Sequence, residues 1–394
     1  MYKFILSLFY GCLMSFGLHA QSNDIKQLLD DIEQNNKQLK AFQSLIESQQ
    51  LDYKTTNNLP DPEASGYYLP FGTHTAGNYT EFQLSQSFEF PTVYGARKKL
   101  IYKQEKQLQL KYEKLQQEVL LSAKNYCLEL ILLNKIKSVE EQRMVQAKKV
   151  FDHAQVLYEK EQVGILELNK AKIAWLQNQF ALEQIENDEN NTMIALTHLN
   201  GGESISFDQA LYPDLWKISA FDSMWQEKIS TDPFLTILIE NEILSSQFIK
   251  LQKNKGLPNL TAGYNYQGIR EQNYSGIYGG ISIPIWNNRF KVKTANAQLQ
   301  YQQLRTEAIT ADLLSDFRGK YNKYQLLLRK FREYQNTLEA LNSDSLLFQA
   351  YELGEISYME YYIELQFYRQ AFDKMLQVEF DLNKLKAELL KHNL

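Results

Sequence analysis

At 394 residues the chain is long enough for two or three domains of ~150 residues each. Its 42 Lys+Arg against 47 Asp+Glu leave a formal charge of −5; this argues against a nucleic-acid partner, which a basic face would recognise. Apolar residues at 44% exclude a disordered chain. Two cysteines, Cys12 and Cys127, exclude a disulfide scaffold or zinc ribbon.

Residues 1–20 read as a secretory signal peptide: Lys3 supplies the positive start, Phe4 to Leu18 the apolar run, and Ala20 precedes the polar Gln21-Ser22-Asn23-Asp24. That run is shorter than the ~20 residues of a membrane span, and no comparable apolar stretch follows. The sequence therefore predicts an exported chain that meets a membrane by strands or by a surface. The mature chain divides into a first repeat over 21–199, a bridge over 200–232 and a second repeat over 233–394. The first repeat reads as a helix near 24–57, a β-hairpin over 63–90, a long helix from Ala96 to Gln162, a turn at Gly164 and a helix over 166–199. The bridge holds Gly201-Gly202, Pro213, Trp216 and Trp225. The second repeat brings a helix, a β-hairpin over 259–286, a long helix from Asn288 to Leu353, a turn at Gly354 and a final helix. Leu59-Pro60-Asp61 recurs as Leu257-Pro258-Asn259, and Val163-Gly164-Ile165 is paired with Leu353-Gly354-Glu355.

None of the eight prolines interrupts the long helical stretches, as continuous helices require. Leu108, Tyr112, Leu115, Val119, Ala123, Tyr126, Leu130 and Leu133 advance by fours and threes, close to a heptad seam. Leu313, Phe317, Tyr321, Tyr324, Leu328 and Phe331 form a similar run, and Cys127 reads as a small packing residue within the first.

In two segments the period changes to two. Phe82, Leu84, Phe88 and Phe90 alternate with polar residues in Tyr79–Phe90, and Leu260, Ala262, Tyr264 and Tyr266 alternate in Asn259–Tyr266. Their partner strands are expected over Glu63–Phe71 and Ser275–Trp286, across loops Gly72–Asn78 and Gly268–Tyr274. Four strands cannot close a barrel, and open edges are not tolerated in hydrocarbon. Three chains would supply twelve strands, enough for a wide closed barrel. Phe82, Leu84, Phe88, Phe90, Ile277, Ile281 and Ile283 would then face lipid, and Glu81, Gln83, Ser85 and Ser282 a wet lumen, with tyrosines at the interfacial girdles. The expected fold class is mainly α with a β-barrel part: a long coiled-coil helical barrel continued by a transmembrane barrel of four strands per chain.

The histidines at 19, 74, 153, 198 and 392 share no metal-ligand spacing, and phosphate-loop, nucleophile-elbow and dinucleotide-binding patterns are missing. No catalytic residue, cofactor or metal site is expected, and the chain does not read as an enzyme.

The order of these parts resembles the TolC-type outer-membrane efflux family. The resemblance rests on Leu84–Pro91 (LSQSFEFP), on Ile281–Trp286 (ISIPIW), and on two helix turns, Tyr158–Gly164 and Ala350–Gly354. Leu59-Pro60-Asp61-Pro62, Phe88–Pro91 and Arg97 are similar to the CzcC-like heavy-metal branch. The resemblance implies a homotrimeric passive conduit in outer-membrane lipid, with its helical tunnel in the periplasm. It also implies docking of the Gly164 and Gly354 tips onto a periplasmic adaptor (membrane fusion) protein and an inner-membrane RND-type pump. Acidic residues after the second turn would ring the periplasmic aperture. The sixth residue past Gly354 is Glu360, whereas the ninth is Ile363, followed by Glu364. Type I protein secretion and a structural coiled-coil role in the envelope are the alternatives.

Overall fold

The structure, a computed structural model, describes residues 25–71, 77–213, 218–269, 272–340 and 343–394. The expected leader 1–20, Trp216 and parts of both hairpin loops lie outside these residues.

The helix expected near 24–57 is two helices, α1 (Ile25–Asn35) and α2 (Lys37–Thr55). Asn36 divides them. Its side-chain oxygen accepts from the N–H groups of Gln38 and Leu39, both at 3.0 Å, an N-cap worth about 1 kcal/mol. Its amide also donates to the Leu199 carbonyl at 2.8 Å. Helix α3 (Pro91–Glu159) has 69 residues, so it is about 100 Å long. It begins five residues before the expected Ala96, because proline is pre-organised for the first helical position. Helix α4 (Ile165–Leu199) ends at the Asn36 joint. Helices α2 and α4 thus stand end to end and together accompany α3.

The second half repeats the device. Asp232 follows α5 (Phe221–Thr231) and caps α6 (Pro233–Asn254), accepting from Phe234 N–H at 2.8 Å. Helix α5, inside the expected bridge, therefore stands where α1 stands in the first half. The long helix expected over 288–353 corresponds to α7 (Lys291–Ala340) and α8 (Ser343–Glu352), on either side of two residues outside the described set. Helix α9 (Tyr358–Leu389) completes the chain with a 3-10 turn, Lys391–Asn393.

Among the described residues four strands form: β1 (Glu63–Leu69), β2 (Tyr79–Phe88), β3 (Asn259–Ile269) and β4 (Gln272–Ser282). They form one antiparallel sheet in the order β1-β2-β3-β4. Strands β2 and β4 stop short of the expected ends. Pro91 already belongs to α3, with Phe90 as its N-cap, and Pro284 has no N–H to extend a ladder.

Among the described residues, three apolar clusters hold the helices. The first joins α1, α2, α3 and α4 around Ile32, Val119, Ala123, Leu130, Ile131 and Leu196, with Tyr112, Leu115 and Tyr126 of the predicted seam packed against it. Cys127 is fully buried there, and burial pushes its thiol up to about 12, so it packs and does not react. The second cluster joins α5, α7 and α9 around Trp225, Phe317, Tyr324 and Leu382. The third lies near the turns and ties α3 and α4 to α8 and α9 through Val150, Ala171, Tyr351, Tyr358 and Tyr361. Among the described residues, no helix is long and apolar enough to cross a membrane.

Candidate pore-lining face and helix turns

Strand register sorts the sheet into two chemically opposite faces. Leu84 pairs with Tyr264, which pairs with Ile277; Phe88 pairs with Leu260, which pairs with Ile281. Phe82 and Tyr266 occupy the same face, since side chains alternate with period two. Most of this apolar face is exposed, and Ile277 in mid-strand is 92% exposed. Of the other residues expected on it, Phe90 lies beyond β2 as the N-cap of α3, and Ile283 lies one residue beyond β4.

The opposite face carries Glu81, Gln83, Ser85, Ser87, Thr261, Asn265, Gln267 and Ser282. Its polar groups bond to one another. The Glu81 carboxylate accepts from Tyr79 Oη at 2.7 Å, Asn265 Nδ2 at 3.0 Å and Gln267 Nε2 at 3.3 Å. The Gln83 amide donates to the Tyr278 hydroxyl. Tyr278 lies over Gly263, where an added Cβ would meet its ring at 2.5 Å, so glycine there makes room for the aromatic. The sheet thus presents a hydrogen-bonded polar face on one side and an exposed apolar face on the other.

At the far end, the two helix turns use one motif. Helix α3 closes with Gln162 N–H donating to Leu157 O and Glu161 N–H to Tyr158 O, both at 2.9 Å. Helix α8 closes with Glu355 N–H donating to Ala350 O at 2.9 Å and Gly354 N–H to Tyr351 O at 3.0 Å. These are Schellman ends, whose penultimate residue adopts positive φ. The residue is Gly354 (φ 74) in one turn and Glu161 (φ 59) in the other. Gly164 and Gly354, paired in the sequence as the two turn glycines, therefore do not occupy equivalent positions. Gly164 is extended, with φ −86, and is the N-cap of α4; its counterpart is Ser357, the N-cap of α9. Glutamate pays a steric cost in that region that glycine does not. Glu161→Gly is therefore expected to stabilise the protein by about 1 kcal/mol and Gly354→Ala to destabilise it by about as much. Paired urea-unfolding midpoints check this; equal midpoints for both variants would contradict the assignment.

No family model matches the chain, and no curated protein matches it. Solved structures do. The CusC channel-forming protein superposes with a TM-score of 0.78 at 14% identity, over 94% of this chain and 92% of that one. The outer membrane protein VceC of Vibrio cholerae gives 0.75 at 12% identity, over 93% and 95%. The Campylobacter jejuni CmeC outer membrane channel gives 0.67 at 14% identity, over 93% and 85%. The chain has the outer-membrane channel fold. The expectation of long paired helices continued by four strands is borne out at that level. In one chain the sheet of this channel fold is open at β1 and β4.

Within the channel fold, Glu360 has a local task. Ser357 N–H donates to its carboxylate at 2.8 Å, and Glu360 N–H donates to Ser357 Oγ at 3.3 Å, a complete capping box. Bonding to the Ser357 backbone, and then to its side chain, holds this exposed carboxyl below the usual carboxylate range. Glu364 lies one turn further along α9, exposed at a groove between α7 and α9 lined by Lys330, Tyr334 and Phe367. A feature absent from the sequence reading is a buried ionic layer. Arg143 of α3 donates to Glu140 and to Asp373 of α9, the latter at 2.8 Å, while Arg369 donates to Asn178 of α4 at 3.4 Å.

Proposed function

We propose that this chain is the outer-membrane channel component of a tripartite efflux system. It acts as a passive, non-enzymatic conduit from periplasm to exterior for pumped small solutes, heavy-metal cations or drugs. One observation carries the reading: a four-stranded sheet with an apolar face, a polar face and two open edges, continued by a helix about 100 Å long. Open edges in hydrocarbon leave backbone groups unpaired, so the sheet closes by association with further copies. Three copies form a twelve-stranded barrel with Phe82, Leu84, Phe88, Ile277 and Ile281 toward lipid and Glu81 and Gln83 toward water. The turns at Gly164 and Gly354 then lie at the periplasmic end, as docking tips for an adaptor coupled to an RND-type pump. In CusC, channel formation is described for that protein, and the same step is proposed here.

Planar-bilayer recording tests the conduit. Wild-type protein is expected to give stable single-channel steps, and inserted protein without conductance would contradict the reading. The same recordings test Glu360 as part of an aperture ring. Glu360→Gln keeps the capping box, because glutamine also serves at that position, and removes only the charge. Reduced cation selectivity and weaker block by multivalent cations from the helical side are expected. Unchanged selectivity and block would restrict Glu360 to capping α9.

A further inference from the structure

The junction between β4 and α7 bears a cationic and aromatic surface that the conduit reading leaves unused. Ile283, Ile285, Trp286 and Phe290 are all exposed there, Trp286 by 79% and Phe290 by 58%. Phe290 has φ 66, a conformation in which a bulky side chain is a steric outlier. Its ring gains no burial in return. It is flanked by Arg289, whose guanidinium carbon lies 4.9 Å from the ring centre, and by the Lys293 ammonium at 5.8 Å.

Charge placement conflicts with local stability in the same way. Lys291 and Lys293 occupy the first turn of α7, which contains no acidic residue, although the positive end of a helix dipole disfavours cations. No acidic residue occurs anywhere from Gln272 to Thr306, in a chain whose formal charge is −5. The segment is nevertheless fixed to the body: Asn288 Nδ2 donates to the Gln252 carbonyl at 3.2 Å. An added Cβ at Gly256 would sit 2.7 Å from that same nitrogen, so glycine permits the seat. Strain and uncompensated charge held in place at one surface point to a ligand that repays them.

We infer that this junction is a docking surface for anionic phospholipid in the leaflet nearest the helices. Arg289, Lys291 and Lys293 engage the headgroup phosphates, and Trp286 and Phe290 enter the interface beside them. The inference rests on the channel reading, and two features choose a bilayer as occupant. The patch continues along the chain from the exposed apolar face of β4 through Ile281 and Ile283, and its charge complements an anionic surface. Amphipathic rings at headgroup level are the usual anchors of a membrane interface.

The test is retained lipid. Full-length protein extracted in detergent is equilibrated with equimolar phosphatidylglycerol and phosphatidylethanolamine, and bound lipid is counted by native mass spectrometry. Wild type is expected to favour phosphatidylglycerol about tenfold, with the preference falling as ionic strength rises. R289Q/K291Q/K293Q should bring the ratio near one, whereas K160Q/K170Q/K172Q, which removes three exposed cations near the α3–α4 turn, should keep it. Phe290→Gly accepts the positive φ without strain and should give an intermediate preference of roughly threefold. A wild-type ratio near one, or an unchanged preference in the junction triple variant, would overturn the inference. Planar-bilayer conductance of the same preparations judges the channel reading separately: a conducting wild type with no lipid preference sinks only the docking surface.

Discussion

Ile277→Arg is expected to abolish stable membrane insertion. Ile277 is the sixth of eleven residues in β4 and is 92% exposed, so it lies near the middle of the apolar face proposed to meet lipid. An arginine at the midplane of an outer-membrane barrel costs ~2–4 kcal/mol. In the proposed trimer, three symmetry-related copies raise that to ~6–12 kcal/mol, comparable with the whole stability of a typical domain. Gln83→Arg is the matched control. Gln83 neighbours Leu84 in β2 but points to the opposite, polar face, where the new cation meets water and the Glu81 carboxylate. It forfeits the bond to Tyr278, about 1 kcal/mol, and should insert with weakened cation selectivity. Flotation with vesicles separates the two. Equal insertion of both variants would mean that the faces are assigned the wrong way or that the sheet does not meet lipid.

The second large effect is at the ionic layer between the helical hairpins. Arg143 and Glu140 side chains are only 10% and 11% exposed, while Asp373 is half exposed. Arg143→Met removes the cation and leaves Glu140 buried without it. Breaking a buried pair in this way costs about 3–5 kcal/mol, and the solvated Asp373 places the expected value near 3. Glu140→Gln combined with Arg143→Met should recover part of the loss, since no buried charge then remains. Lys148→Met, which breaks an exposed pair with Asp152 and the contacts of its ammonium with the Phe151 and Trp175 rings, should cost no more than about 1 kcal/mol. Urea midpoints followed by helical circular dichroism measure all three. An Arg143→Met midpoint indistinguishable from that of Lys148→Met would show that the layer does not join the helices.

The strands were legible because alternation is a local signal and a whole face is left apolar; Phe82, Leu84, Ile277 and Ile281 lie together as their spacing required. Their ends were less legible. Phe90 continues the apolar alternation, yet the helix-forming Pro91 claims it as a cap. The break at Asn36 escaped a periodicity reading because one residue hardly disturbs the helical pattern, although asparagine is a standard cap. The duplication was visible but its register at the turns was not. Glycine drew the pairing to Gly164, while hydrogen bonding gives the left-handed position to Glu161. A stronger signal was present at Ser357–Glu360, whose serine and glutamate three apart announce a capping box. Nothing in the sequence could announce the Arg143–Asp373 pair. It joins residues 230 positions apart, and charged residues are common along both helices.

The most direct test of the account is the mass of the full chain extracted from outer membranes in mild detergent. Each chain contributes four strands with two open edges, so closure in lipid requires partners. Native mass spectrometry is expected to find three chains, persisting on dilution in detergent. A single chain, stable and monodisperse in detergent-free buffer, would contradict the channel.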